Sequence, residues 1–361
     1  MTKAAMRVLL ISTMRNEAPF ILEWLAYHQH IGVTDFLIYS NDCDDGTDLM
    51  LDRLQALGHL THERNHSGGK KSVQWRALTK AFRHPLRRSA DWIYVADVDE
   101  FLNIHAGDGQ ISDLMAACPD ADGFAISWRM FGNAGVRGFE DRPIMAQFTQ
   151  AAPETLVWPW RSVQYKSLFK NQNVYERLGV HRPKLADGET SPHWVDGNGD
   201  IDRSAASTYQ FSQSPRYGLA QINHYALGSI ESFLVKQARG KPNHDTDPID
   251  LSYWIERNFA SEVDMRILRH GAAVDARRSK LMSDPEVAEL HDASVRWRIR
   301  KASELIEKQE SFDLYSTLLQ TPSTRPLPLA DQEALLNQLV MLRRKARRDK
   351  ARESGKTANG A

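Results

Sequence analysis

The sequence predicts an α/β protein: a Rossmann-like mixed sheet flanked by helices, with a helical C-terminal extension. Three observations carry this. Short apolar runs rich in branched residues, "RVLLIST" and "DFLIYS", read as strands buried on both faces. Between them lie segments whose apolar residues recur at three- and four-residue spacing, as in helices. Past Pro248 the helical pattern dominates to the end of the chain.

The elements follow in order. "RVLLIST" leads into "EAPFILEWLAYHQHIG", where Phe20, Trp24, Tyr27 and Ile31 recur at helical spacing, with Pro19 near the start and Gly32 past the end. "DFLIYS" is the next strand, and "DDGTDLMLDRLQALGHL" a second helix that Asp45 or Thr47 can cap and Gly58 can stop. A third helix, "SVQWRALTKAF", precedes the strand in "ADWIYVADVDEFL". This alternation argues for a mainly parallel sheet. From Gly123 the pattern changes: "GFAISWRMF" and "SVQYKSLF" read as strands joined by turn-rich sequence, so this half is expected to be mixed or antiparallel. Residues 177–217 read as ordered loops over a site or a lid. "QINHYAL" then reads as a strand and "SIESFLVKQARG" as a helix. The division expected is a catalytic domain over 1–245, a helical region over 246–345 and a disordered basic tail over 346–361.

Composition narrows the functional classes. With 361 residues, 42% hydrophobic and 25% charged, the chain is of the soluble globular kind and long enough for a large core. Lysine plus arginine equal aspartate plus glutamate at 46 each, which gives no sign of a nucleic-acid partner. Cys43 and Cys118 are too few for a disulfide scaffold or a cysteine zinc site and suit a reducing compartment. The opening "MTKAAMRVLLISTMRNE" reads as neither a signal peptide nor a membrane span. A cytoplasmic protein is expected, and the basic C-terminus, "LRRKARRDKAR", is a candidate for peripheral contact with the inner face of a membrane.

The chemistry concentrates in "VADVDEF". Ligands of open parallel sheets bind beyond the carboxyl ends of the strands, and this segment sits at such an end. Asp97 and Asp99 are expected to project to one side. Two converging carboxylates repel unless a cation joins them, and hard oxygen ligands suit Mn²⁺ or Mg²⁺ completed by the phosphates of a substrate. The plainer alternative, acids that cap a helix or face solvent, explains an isolated Asp-x-Asp but not three acids after a hydrophobic strand.

Taken together, "RNEAPFILEWLAYHQHIGV", "FLIYSNDCDDGTDLMLDRL", "DWIYVADVDEFL", "WRMFGNAG", "GVHRPK" and "INHYALGSIESFLVKQARGK" resemble GT-A type glycosyltransferases. The resemblance is to the family 2-like enzymes and to family 92, and it covers about residues 6–245. It implies a first half that binds a nucleotide-sugar donor, UDP-linked by expectation, and a second half that receives a glycan or lipid-linked acceptor. It further implies a role for Asp97 near ribose or metal, for Asp99 as direct metal ligand, and for His224 of "NHY" as third ligand. An inverting reaction needs a general base. The usual family 2 Glu-Asp base motif is not evident, so Asp196 is the first candidate, followed by His181 and Glu189, with His193 an alternative.

Donor contacts are expected from Arg15, Asn16 and Glu17 after the first strand, from Asn41 after the second, and from Lys70, Gln74 and Arg76 around "SGGKKSVQWRA". Helix capping by Asn16 and a solvated start of the third helix are the plainer alternatives. Ser40 and Asn41 stand where the commoner family 2 pattern has aspartates. The glycines of "FGNAG" could let an acceptor sugar approach the backbone, with Trp128 or Phe131 stacking on it. Two other functions stay open at this stage. A nucleotidyltransferase shares the sheet type, but "STMRNEAPF" contains no glycine where that class carries a Gly-rich loop. A non-catalytic carbohydrate-binding protein would not need the acid and histidine set.

Overall fold

The computed structural model describes residues 6–66, 68, 72–202, 216–240 and 248–358. Among them a nine-stranded sheet forms the centre. Across it the strands run Thr61–Arg64, Asp35–Ser40, Val8–Met14, Trp92–Val95, Tyr165–Lys170, Gly123–Met130, Ala220–His224 and Glu100–Ile104, with Trp194–Asp196 added beside Gly123–Met130. The first four are parallel. Tyr165–Lys170 is antiparallel to both its neighbours, and Glu100–Ile104 is antiparallel to Ala220–His224. The change from parallel to mixed pairing therefore falls where the sequence pattern changes.

Strand Val8–Met14 shows why the apolar runs are continuous. Val8 and Leu10 pack into a layer with Trp24, Tyr27 and Phe101, while Leu9 and Ile11 pack into the opposite layer with Leu37, Leu78 and Phe169. Both faces are covered, so no alternation with polar residues is required. Helix Ala18–His30 forms over the expected span, with Pro19 in its first turn. The Asp45 carboxylate accepts from Thr47 N at 2.9 Å and from Ala18 N at 3.0 Å, so one acid ties two helix starts together. Ser72 caps helix Val73–Arg83.

The C-terminal helices pack on the sheet layers rather than standing apart. Helix Pro285–Ile306, capped by Asp284, lies against helices Ile230–Arg239, Thr47–Ala56 and Ala18–His30. Arg53 grips Asp284 with two hydrogen bonds of 3.0 and 2.5 Å. Arg298 is buried, with its guanidinium over the Phe20 ring at 4.5 Å. The expected boundary at residue 245 falls in 241–247, outside the described residues. The last helix, Leu329–Ala358, continues through most of the segment expected to be a disordered tail.

Gly132 belongs to this packing. A Cβ there would lie 2.1 Å from the Phe259 carbonyl oxygen, so its missing side chain admits the C-terminal region, where an acceptor sugar was expected. Phe131 is a core residue, 1% exposed, which removes it from the stacking candidates.

Candidate active site

The strands Val8–Met14, Asp35–Ser40, Trp92–Val95, Gly123–Met130 and Ala220–His224 all point their carboxyl ends at one edge of the sheet, where Glu100–Ile104 and Tyr165–Lys170 begin. A cleft enclosing about 1220 Å³, open solvent included, lies along that edge. Arg15, Glu17, Asn41, Gln74, Asp97, Asp99, Trp128, His181 and His224 line it. Beyond them come Arg161, Lys236, Arg239, Tyr253 and Arg257.

The acidic segment is the turn between strands Trp92–Val95 and Glu100–Ile104, and its three acids share two lysines. The Asp97 carboxylate accepts from Lys166 Nζ at 2.9 Å and from Gln74 Nε2 at 3.4 Å. Glu100 is wholly buried; it accepts from Asp97 N at 3.0 Å and faces the same Lys166 Nζ at 3.1 Å. Asp99 accepts from Lys236 Nζ at 2.7 Å, and its Oδ2 lies 3.8 Å from His224 Nε2. The repulsion anticipated among these carboxylates is thus met by two lysines, the buried Lys166 from strand Tyr165–Lys170 and the partly buried Lys236 from helix Ile230–Arg239.

Protonation follows from this arrangement. Burial alone would raise the Asp99 carboxyl, but the Lys236 ammonium and further nearby cations hold it below the usual carboxylate range. Burial pushes the His224 imidazole down to about 3, so it is neutral at physiological pH. Burial, with Lys166 adding to it, lowers His181 to about 4. His181 Nδ1 lies 2.8 Å from the Tyr165 carbonyl oxygen, which fixes the proton on Nδ1 and leaves Nε2 as the basic nitrogen.

An ionised carboxylate beside a neutral imidazole is a donor pair suited to Mn²⁺ or Mg²⁺. Among the described residues no group of three or more His, Cys, Asp or Glu is arranged to hold a metal ion alone. Asp99 and His224 fit as two ligands of such a cation. Asp97 faces Lys166 and Gln74.

The other expected contacts divide. Arg15 lines the cleft, and its guanidinium donates to the carbonyls of Asp42 and Arg239. Glu17 lines it too and forms an ion pair with Arg239. Asn41 and Gln74 are buried with their edges toward the cleft. Asn16 is absent from the cleft wall; at φ 55° it exchanges hydrogen bonds with Asp44, a structural role close to the capping alternative. Arg76 donates to the His66 carbonyl away from the cleft wall. Lys70 lies outside the described residues.

Asp196 does not reach the cleft. It pairs with Ala125, five positions before the carboxyl end of Gly123–Met130. Its Oδ1 accepts from Asn198 N and Asp200 N, the bonds of a tight turn. Strand register, which sequence pattern does not disclose, sets it beside the start of Gly123–Met130 and so toward the opposite edge. His193, whose backbone N–H donates to Asp122, and Glu189 are likewise absent from the cleft wall. Sequence reading also passed over Lys166, Lys236, Arg239, Tyr253 and Arg257. Only Lys236 and Arg239 carried a local signal, at helical spacing after the "NHY" strand.

A mixed sheet with an acid-and-arginine cleft at its carboxyl edge defines an α/β protein with a ligand site at its strand ends. The chain belongs to glycosyltransferase family 92, whose sequence model matches residues 9–207. A family 92 protein of Ricinus communis is 32% identical over 239 residues, 61% of this chain and 35% of the relative. One of Oryza sativa subsp. japonica is 27% identical over 150 residues, 39% of this chain and 24% of the relative. The alignments thus span about a third or less of these relatives' own length. The structure of S. aureus TarS 1–349 in complex with UDP-GlcNAc aligns over 84% of this chain and 92% of that chain, with 14% identity and a TM-score of 0.28, too slight an overlap to carry an argument.

Proposed function

We propose that this protein is a cation-dependent, inverting glycosyltransferase that moves one sugar from a UDP-sugar to a hydroxyl of a glycan or lipid-linked acceptor. The observation that carries this is the meeting of Asp99 and His224 with Lys236, Arg239 and Arg257 at the sheet's carboxyl edge, inside a family 92 chain. Arginines and a lysine beside an ionised carboxylate suit a diphosphate.

In this reading Asp99 and His224 hold Mn²⁺ or Mg²⁺, which when bound offsets charge on the departing nucleoside diphosphate. Arg15 and Arg239 position the phosphates, while Asn41 and Gln74 offer amide edges to base or ribose. Asp97, held by Lys166, orients the ribose. Trp128 forms a wall against the transferred sugar. His181 Nε2 takes the acceptor hydroxyl proton as the new oxygen–anomeric carbon bond forms and the bond to phosphate breaks. The basic end of the last helix supports peripheral docking where a lipid-linked acceptor would lie.

Titration calorimetry with UDP tests the donor assignment. Binding should strengthen markedly with Mn²⁺, and Asp99→Asn should lose that strengthening together with sugar transfer. Tight binding of ADP or GDP and none of UDP would overturn the donor class. Full activity of His181→Ala would remove it as the base.

A further inference from the structure

Asp99, assigned above to a divalent cation, already carries one: the Lys236 ammonium at 2.7 Å. That ammonium is fastened from a second side by the Ala226 carbonyl, also at 2.7 Å, and lies 5.6 Å from the centre of the Tyr253 ring. Lys236 is mostly buried, its side chain 15% exposed. A second cation cannot join Asp99 without weakening this pair, because two positive charges would then share one carboxylate in a partly desolvated site. Removing the carboxylate from Lys236 leaves a buried ammonium without a counter-ion, which is strongly unfavourable.

Among the described residues that line the cleft, no carboxylate is free to substitute. The Asp97 side chain is taken by Lys166, and Glu17 is paired with Arg239. Arg257, its guanidinium 3.6 Å from the centre of the Tyr253 ring, adds positive charge on the same side. Only an anion entering the cleft can take over Lys236, and the cleft opens toward it. A diphosphate has the charge and oxygen spacing to accept from Lys236 while also facing Asp99 across a divalent ion.

We propose that Lys236 is a resident counter-ion that couples the two ligands: the nucleoside diphosphate draws Lys236 from Asp99 and so opens the Asp99–His224 pair to the divalent cation. Metal without nucleotide meets an occupied carboxylate; metal with nucleotide meets a vacated one. This rests on the reading of the cleft as a nucleotide site and adds to the direct meeting of cation and diphosphate a second reason for the two ligands to bind together, one carried by a residue of the chain.

The test is calorimetric, on the full chain. Mn²⁺ is titrated into the wild type alone and at saturating UDP, and then into Lys236→Met alone. UDP should tighten Mn²⁺ binding by about tenfold or more in the wild type, a coupling of ordinary size. Lys236→Met should bind Mn²⁺ without nucleotide about tenfold more tightly than the wild type, and UDP should then tighten it by a smaller factor than in the wild type. Equal Mn²⁺ affinity with and without UDP in the wild type overturns the coupling by itself, even should the variant fail to fold. Unchanged or weaker Mn²⁺ binding in a folded Lys236→Met overturns the role of this residue. Absence of both UDP and Mn²⁺ binding under every condition would instead remove the nucleotide reading on which the coupling rests.

Discussion

His28 is enclosed by the rings of Trp24, Tyr27, Tyr94 and Phe101, and its Nδ1–H donates to the Trp24 carbonyl at 2.9 Å. With no carboxylate beside it, burial pushes its pKa from 6.5 down to about 3. The native imidazole stays neutral while the unfolded one takes up a proton below its ordinary pKa. Stability is therefore unaffected above about pH 6.5 and declines as pH falls from there toward 3. His105, His181 and His224 are displaced in the same direction. Denaturant melts at pH 7, 6 and 5 should show this decline, and His28→Phe should flatten it by about 1.4 kcal/mol per pH unit. Parallel curves for variant and wild type would rule the assignment out.

The last helix, Leu329–Ala358, packs behind one wall of the cleft through its first half. Gln332 Oε1 accepts from Val157 N at 2.9 Å and Trp158 N at 3.2 Å, Leu336 packs with Val157 and Val163, and Arg343 lies over the Trp160 ring at 4.3 Å. Trp160 and Arg161 line the cleft. The helix therefore braces one wall of the site, beyond any contribution of its basic end. Gln332→Ala leaves one buried and one part-buried backbone N–H group without their acceptor, which costs about 1–3 kcal/mol locally. The expected outcome in steady-state assays is a higher KM for the donor with kcat nearly retained. A loss of kcat alone at constant KM would count against the bracing.

At the scale of the whole molecule, the family match ends at residue 207 while Lys236, Arg239, Tyr253 and Arg257 line the cleft beyond it. A chain cut after residue 247 would lose Tyr253, Arg257 and the Phe259 carbonyl that fills the space above Gly132. It would also expose the face of helix Ile230–Arg239 that Pro285–Ile306 covers. We expect that fragment to lose cooperative unfolding and UDP binding together; a cooperatively melting fragment that still binds UDP would show the C-terminal helices to be dispensable. No helix among the described residues is long and apolar enough to cross a membrane. Met341 and Leu342 are exposed just before the basic run, which suits a surface contact. Sedimentation with anionic vesicles should be seen at low salt and abolished both by high salt and by truncation at Leu342. No sedimentation at low salt would leave this end as a solvated extension.

What the sequence by itself determined is whatever depends on neighbours along the chain. The strands "RVLLIST" and "DFLIYS", the helix carrying Trp24 and Tyr27, and the acidic turn after "WIYV" follow from local periodicity and apolar content, and the ordered set of motifs carried the family. The placing of Asp97 and Asp99 at the carboxyl edge was legible for the same reason, since parallel strand ends in an α/β sheet share an edge, whereas His224 joined them only through the family resemblance. Only the tertiary structure decided the partners. Lys166 and Lys236 lie 69 and 137 residues from the acids they meet, and no spacing rule links them. The same holds for the exclusion of Asp196, which turns on the register of a three-residue strand, and for Arg257, which enters the cleft from the turn after helix Leu251–Ile255. Periodicity reports which face of an element is buried; which charges meet across that face is set by the packing of elements far apart in the chain.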